Sequence, residues 1–120
     1  MAEQSQLKIE ESEGVTIVGF RDASILDMET IQRVGRELYE VVETPEKRKV
    51  VLDFCEVRFL SSQALGVLLT LRRKADKAGA KVVLAGIRPE LARVFEITNL
   101  NKLFKFFDKR ADAVANLADA

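Results

Sequence analysis

The first regular pattern along the chain is an alternation of apolar and polar residues that begins at Leu7. It runs to Glu11, is interrupted by Ser12-Glu13-Gly14, and is followed by the β-branched and apolar run 15–20. Alternation with a period of two is typical of a half-buried strand, and a glycine between two such runs marks a turn. The pattern predicts a β-hairpin, preceded by a flexible N-terminus over residues 1–6.

Four later segments carry apolar residues at the spacing of an α-helix. In the first segment Ile31, Val34, Leu38 and Val41 share one helical face, and Asp27 is suited to cap its N-terminus. The second segment opens after two serines and closes on a glycine, and a proline stands at the first turn of the third. These signals predict helices over residues 27–43, 61–79, from 89, and over 111–117.

Runs of consecutive apolar residues lie between the predicted helices. Residues 49–54 and 81–85 are typical of strands buried on both faces. Residues 103–107 predict a last short strand, in which one of Phe106 and Phe107 is expected to face outward. Strands that alternate with helices favour a largely parallel sheet, so we predict one α/β domain over residues 7–120.

Composition narrows the chemistry that such a domain can carry. The chain has 120 residues, 19 Lys plus Arg, 19 Asp plus Glu, one cysteine and no histidine. Zero net charge argues against nonspecific electrostatic binding to nucleic acid or to an anionic membrane. Without histidine, and without phosphate-binding or nucleophile-elbow motifs, the sequence predicts no enzyme, no cofactor and no metal site.

The hydropathy pattern also bears on location. Residues 1–13 are polar and mostly acidic, unlike a signal peptide. The most apolar stretch, residues 59–71, has only about half of the ~20 residues that a membrane span needs. We therefore expect a soluble cytoplasmic protein.

The segment that bears most on function is the one where a buried strand leads through a loop to Ser61 and Ser62. A helix N-terminus exposes unpaired N–H groups and partial positive charge, which favour a serine cap and would also favour a phosphate. From the residues alone, capping is the simpler interpretation. Cys55, in the preceding loop, is expected to be a small buried apolar residue.

Residues 50–69, VVLDFCEVRFLSSQALGVLL, resemble the signature of the STAS domain, the fold of bacterial anti-sigma-factor antagonists. Residues 80–87, 95–104 and 26–30 resemble other segments of that family, so the likeness covers about 7–117. The resemblance implies a mixed sheet with helices packed mainly on one face. It also implies a protein-interaction module that binds an anti-sigma factor, typically a serine protein kinase of the histidine-kinase-like ATPase fold.

The chain departs from the family pattern at the start of the second predicted helix. Ser61 stands where the family has aspartate, Ser62 matches the first serine, and Ala64 replaces a glycine. Gln63 matches the second serine, which the partner kinase phosphorylates in typical antagonists. Because glutamine cannot accept a phosphoryl group, three interpretations follow: binding that is not switched here, phosphorylation of Ser62 or less readily Ser61, or a different partner.

The resemblance also suggests which residues meet the partner. Asp27 matches an aspartate near the switch loop of the family, although it is equally a helix cap and Asp22 is a rival for that position. A basic cluster, Arg72, Arg73, Lys74 and Lys77, is either a solvated face or a contact with acidic partner residues. Alternative functions are a scaffold or a small-molecule or nucleotide-binding regulatory module. The expected contact residues are Ser61, Ser62, Gln63, Ala64, Asp27 and Arg72.

Overall fold

The computed structural model describes residues 7–21, 24–25 and 27–118. The expected flexible N-terminus, Asp22 and Leu26 lie outside these ranges. In chain order the elements are β1 (Leu7–Ser12), β2 (Val15–Phe20), β3 (Ser24–Ile25), α1 (Met28–Glu43), β4 (Lys49–Asp53), β5 (Phe59–Leu60), α2 (Ser62–Ala78), β6 (Lys81–Ala85), α3 (Pro89–Ile97), a 3₁₀ turn (Leu100–Lys102), β7 (Lys105–Phe107) and α4 (Arg110–Ala118).

The main sheet has five strands in the order β1-β2-β4-β6-β7. β1 is antiparallel to β2, and the other neighbouring pairs are parallel. The predicted hairpin is confirmed: Ser12 pairs with Val15, and Glu13 and Gly14 both have positive φ, 52° and 78°. Two positive φ values are what a two-residue hairpin turn needs for its twist to match that of the strands.

The sheet is covered on both faces, which explains the uninterrupted apolar runs in its central strands. Residues of α1, α2 and α3 form the larger hydrophobic cluster with one face of the sheet, and α4 packs on the other face. Three helices on one face and one on the other confirm the expected mixed architecture. No helix in the described part of the chain is long and apolar enough to cross a membrane.

The predicted last strand is present as β7, but the expectation that one of its two phenylalanines faces outward is wrong. Phe106 packs against the larger cluster, where its ring meets Phe95 at 5.4 Å between centroids, and Phe107 packs against the smaller one. Both aromatic side chains are therefore partly buried on opposite faces, because α4 covers the face that was expected to meet water.

Two short strands that the sequence analysis missed lie beside the helices. β3 and β5 pair in parallel, Ser24 with Phe59 and Ile25 with Leu60. The backbone N–H of Ser61 continues the pairing and donates to the Ile25 carbonyl at 3.1 Å. Two residues are too few to show an alternation, so no periodicity predicts these strands. Their pairing brings the segment before α1 next to the segment before α2.

Candidate functional site

The starts of α1 and α2 lie side by side, each closed by a side-chain cap. Asp27 accepts from the backbone N–H of Thr30 at 2.9 Å and from its hydroxyl at 2.7 Å. Ser61 Oγ accepts from the backbone N–H of Ala64 at 3.2 Å. Both predicted caps are confirmed. The hydrogen bond from the Thr30 N–H is the main reason why the pKa of Asp27 is lowered, since it favours the carboxylate.

The residues next to the α2 cap differ in exposure. Ser61 is half-buried and engaged in the cap, whereas Ser62 and Gln63 are exposed. Gln63 also lines an open cleft of about 440 Å³ between α1 and α2, with Met28 on its opposite side. Ala64 is only 6% exposed and belongs to the hydrophobic cluster. The expectation that Ala64 contacts a partner is therefore corrected. Its position on the inner face of α2 turns its side chain toward the core.

Two exposed apolar side chains lie near these polar residues, and the sequence analysis missed them. Met28 is 50% exposed and Phe59 is 57% exposed, one at the start of α1 and one immediately before α2. We call Met28, Phe59, Ser62 and Gln63 the helix-start surface. A local signal for Phe59 did exist: it is an aromatic residue within three positions of the two serines that open α2.

Two members of the basic cluster on α2 form ion pairs within the chain. Arg72 pairs with Asp76 one helical turn away, with Nε and Oδ2 at 3.4 Å. Lys74 ties α2 to α1, since its Nζ lies 3.3 Å from Glu43 Oε2 and 5.2 Å from the centre of the Tyr39 ring. These contacts within the chain account for two of the four cations.

Arg73 shares the side of α2 that carries Ser62, but it lies about 16 Å further along the helix, where it lines an open cleft with Glu43 at the end of α1. At 100° per residue, Arg73 lies about 20° around the helix from Ser62, whereas Arg72 lies about 80° away. The same stripe carries Leu69, which is 38% exposed. The expectation that Arg72 contacts a partner came from its place in a run of cations, whereas its ion pair with Asp76 and its helical phase distinguish it from Arg73.

The end of β4 and the loop after it hold a buried acid, Asp53, and a free thiol, Cys55. Cys55 is exposed, so the expectation of a buried thiol is wrong. Partial desolvation raises its pKa, and the neighbouring Asp53 carboxylate raises it further, so the reactive thiolate is disfavoured. Asp53 is buried and engaged by Arg110 and by the Cys55 N–H. Among the described residues, no group of three or more metal-ligating side chains is present.

Comparison with known proteins places this geometry in a family. The sequence model of the STAS domain family matches residues 6–113 of this chain. The chain is 25% identical over 112 residues to an anti-sigma F factor antagonist of Paenibacillus polymyxa, covering 93% of this chain and 94% of that protein. It is 41% identical over 71 residues to a STAS-domain containing protein of Pseudomonas aeruginosa, covering 58% of this chain and 68% of that protein. The crystal structure of an anti-sigma factor antagonist from Mycobacterium paratuberculosis matches with a TM-score of 0.80 and 25% identity, covering 92% of each chain. The chain belongs to the STAS domain family.

Proposed function

We propose that this chain is a non-enzymatic anti-sigma-factor antagonist that binds an anti-sigma factor of the serine-kinase type. The observation that carries the proposal is the helix-start surface, where exposed apolar and polar side chains meet at the α2 segment that matches the family signature. The antagonists of Paenibacillus polymyxa and Mycobacterium paratuberculosis, each covered over more than nine-tenths of its length, support it.

The surface suits a protein partner in its chemistry. Met28 and Phe59 each expose half or more of their area, and large apolar side chains among polar ones are typical of interface centres. A small-molecule role is less well supported. The cleft between α1 and α2 is open, and the apolar cavity between these helices and the sheet has a volume of only about 10 Å³, enough for one water molecule at most.

We propose that binding is not switched at the family's usual position, because Gln63 has no hydroxyl to phosphorylate. Its neutral side chain resembles the unphosphorylated state, whereas a phosphate adds roughly −1.5 to −2 charges. If the partner kinase does modify this helix, Ser62 is the serine that it reaches. Ser62 is exposed on the first turn, whereas Ser61 is half-buried and its hydroxyl caps the helix.

The test is affinity capture by the tagged chain from lysate of its own cells, with the bound proteins identified by mass spectrometry. A serine-kinase-type anti-sigma factor should be retained by the native chain. Retention should fall by about tenfold for Gln63→Glu, because the added charge opposes docking of a desolvated surface.

The matched control for this experiment is Asn101→Asp, the same change from amide to carboxylate. Asn101 is exposed in the 3₁₀ turn that precedes β7, at the edge of the sheet opposite to the helix-start surface. The control should retain the partner like the native chain. The proposal fails if no kinase-type protein is enriched, or if both substitutions release it equally. A phosphopeptide containing Ser62 would refute the unswitched form of the proposal and leave antagonism intact.

A further inference from the structure

A second open cleft adjoins the helix-start surface through Phe59. It has a volume of about 450 Å³ and lies between β5 and the first turns of α3. Both α2 and α3 begin where parallel strands end, so both starts lie at the same edge of the sheet. A partner that docks on the start of α2 therefore also meets this cleft. Its lining residues are Arg58, Phe59, Leu60, Arg88, Glu90, Leu91 and Val94.

The charges in the cleft are unbalanced in favour of the cations. Arg58 is exposed and, within the described ranges, neither Arg58 nor Arg88 forms an ion pair. Arg88 Nη2 donates to the Cys55 carbonyl at 3.2 Å, while its Nε is shielded from water without a hydrogen-bond partner. Against these two cations the described lining offers a single carboxylate, Glu90.

The start of α3 adds to the positive character of the cleft. Arg88 occupies the N-cap position and makes no side-chain cap, and Pro89 follows it at the first helical position. The partial positive charge of the helix N-terminus is therefore not offset by an acceptor at the cap, although Glu90 in the first turn offsets part of it. Phe59, Leu91 and Val94 supply an apolar wall beside these charges.

We infer that the cleft binds an acidic segment of the partner protein that also inserts an apolar side chain. The inference rests on the proposed function, since it names the chemistry of the partner at the same edge of the sheet. Carboxylates would pair with Arg58 and Arg88, and the apolar side chain would cover Phe59, whose 57% exposure leaves most of its ring in water. Glu90 would repel such a segment and so limit its affinity.

The test uses a fluorescein-labelled synthetic peptide of glutamates interrupted by leucines, titrated with the full chain and followed by fluorescence anisotropy. We expect saturable binding that weakens with added salt. Arg58→Ala should weaken it about threefold to fivefold, the effect of one exposed ion pair. Glu90→Gln should tighten it about threefold, and a gain of affinity cannot arise from misfolding. Arg93→Ala, an exposed arginine of α3 outside the lining, should change nothing.

Three results would overturn the inference: no saturable binding, equal binding of a lysine–leucine peptide, or no response to either Arg58→Ala or Glu90→Gln. Equal binding of a glutamate peptide without leucines would show an anion site only and refute the apolar part. Amide shifts at Phe59 and Leu91 in the ¹⁵N-labelled chain should locate the bound peptide.

The two proposals fail in distinguishable ways. Capture of a kinase-type partner that depends on Gln63 but not on Arg58 would refute the cleft and leave the antagonist function standing. Peptide binding that follows Arg58 and Glu90, without capture of a kinase-type protein, would support the cleft and refute the function.

Discussion

Removal of the Arg110 side chain should destabilise the domain, because Arg110 is the principal partner of a buried carboxylate. Asp53, at the end of the central strand β4, has a side chain that is 6% exposed. Arg110 Nε lies 2.9 Å and Nη2 lies 2.7 Å from Asp53 Oδ2, and the Cys55 N–H donates to the other oxygen at 3.0 Å. In Arg110→Ala, Asp53 keeps only the bond from Cys55.

The size of the effect follows from these contacts. Loss of one partner of a fully buried ion pair costs about 3–5 kcal/mol, and a hydrogen bond to a charged group contributes about 1.5–3 kcal/mol. Arg110 itself is 42% exposed, so water can reach part of the vacated space and the cost should lie near the lower figures. The bond from Nη1 to the exposed Glu10 carboxylate, 2.7 Å long, adds less than about 1 kcal/mol. We therefore expect Arg110→Ala to lower the free energy of unfolding by about 2–3 kcal/mol, or Tm by roughly 8–12 °C.

Urea denaturation followed by circular dichroism measures this difference. Arg93→Ala on α3 is the matched control, since Arg93 is exposed and should cost less than about 0.5 kcal/mol. A double-mutant cycle with Asp53→Asn should give a coupling energy of about 1–3 kcal/mol. If Arg110→Ala costs no more than Arg93→Ala, the ion pair does not hold α4 to the sheet and the reasoning is refuted.

Three further predictions concern titration and the phosphorylation position. The pKa of Asp27 is lowered below its ordinary 3.8, so its cap contributes stability above the unfolded pKa and loses it as pH falls through the folded pKa. Asp27→Asn, also a good cap, should lose less stability between pH 5 and pH 3 in urea titrations than the native chain, and parallel losses would contradict this. The pKa of Cys55 is raised above its ordinary 9.0, so its alkylation by iodoacetamide should still accelerate above pH 9; a plateau below that pH would be inconsistent with the geometry. Gln63→Ser places a hydroxyl where the family resemblance implies a phosphorylated serine, so we expect the captured kinase with ATP to phosphorylate the variant and then to dissociate from it. Phosphopeptide mass spectrometry and repeated capture would show both steps; continued retention of the kinase by the phosphorylated variant would exclude this switch.

Local pattern determined most of the elements and their ends. The hairpin turn follows from Glu13-Gly14, and the α2 boundaries follow from Ser61 and Gly79, which adopts the left-handed conformation that glycine favours. Helix periodicity, caps and turn residues act over a few neighbours, so one sequence is enough to read them. The order of signature residues that resembles the STAS family is likewise a property of the sequence alone.

The elements that cover each face of the sheet are determined by contacts between residues that are distant in the sequence. One of Phe106 and Phe107 was expected in water, because nothing in their own strand indicates that α4 packs on its second face. The Asp53–Arg110 pair joins residues 57 positions apart, and no local spacing relates them. Many residues of similar chemistry could form each of these contacts. Only the packed fold determines which residues meet.

The helix-start surface likewise combines features that the sequence predicts with features that only the tertiary structure decides. The sequence by itself indicated that Ser61 and Ser62 open α2, and the family resemblance implies that Gln63 stands at the position of a phosphorylated serine. The tertiary structure decided that β3 and β5 pair, that Ala64 turns inward, and that Phe59 is left exposed beside Arg58 and Arg88, which form no ion pair within the described ranges. The physical reason is that capping and helical phase are local, whereas exposure is what remains after every other element has packed.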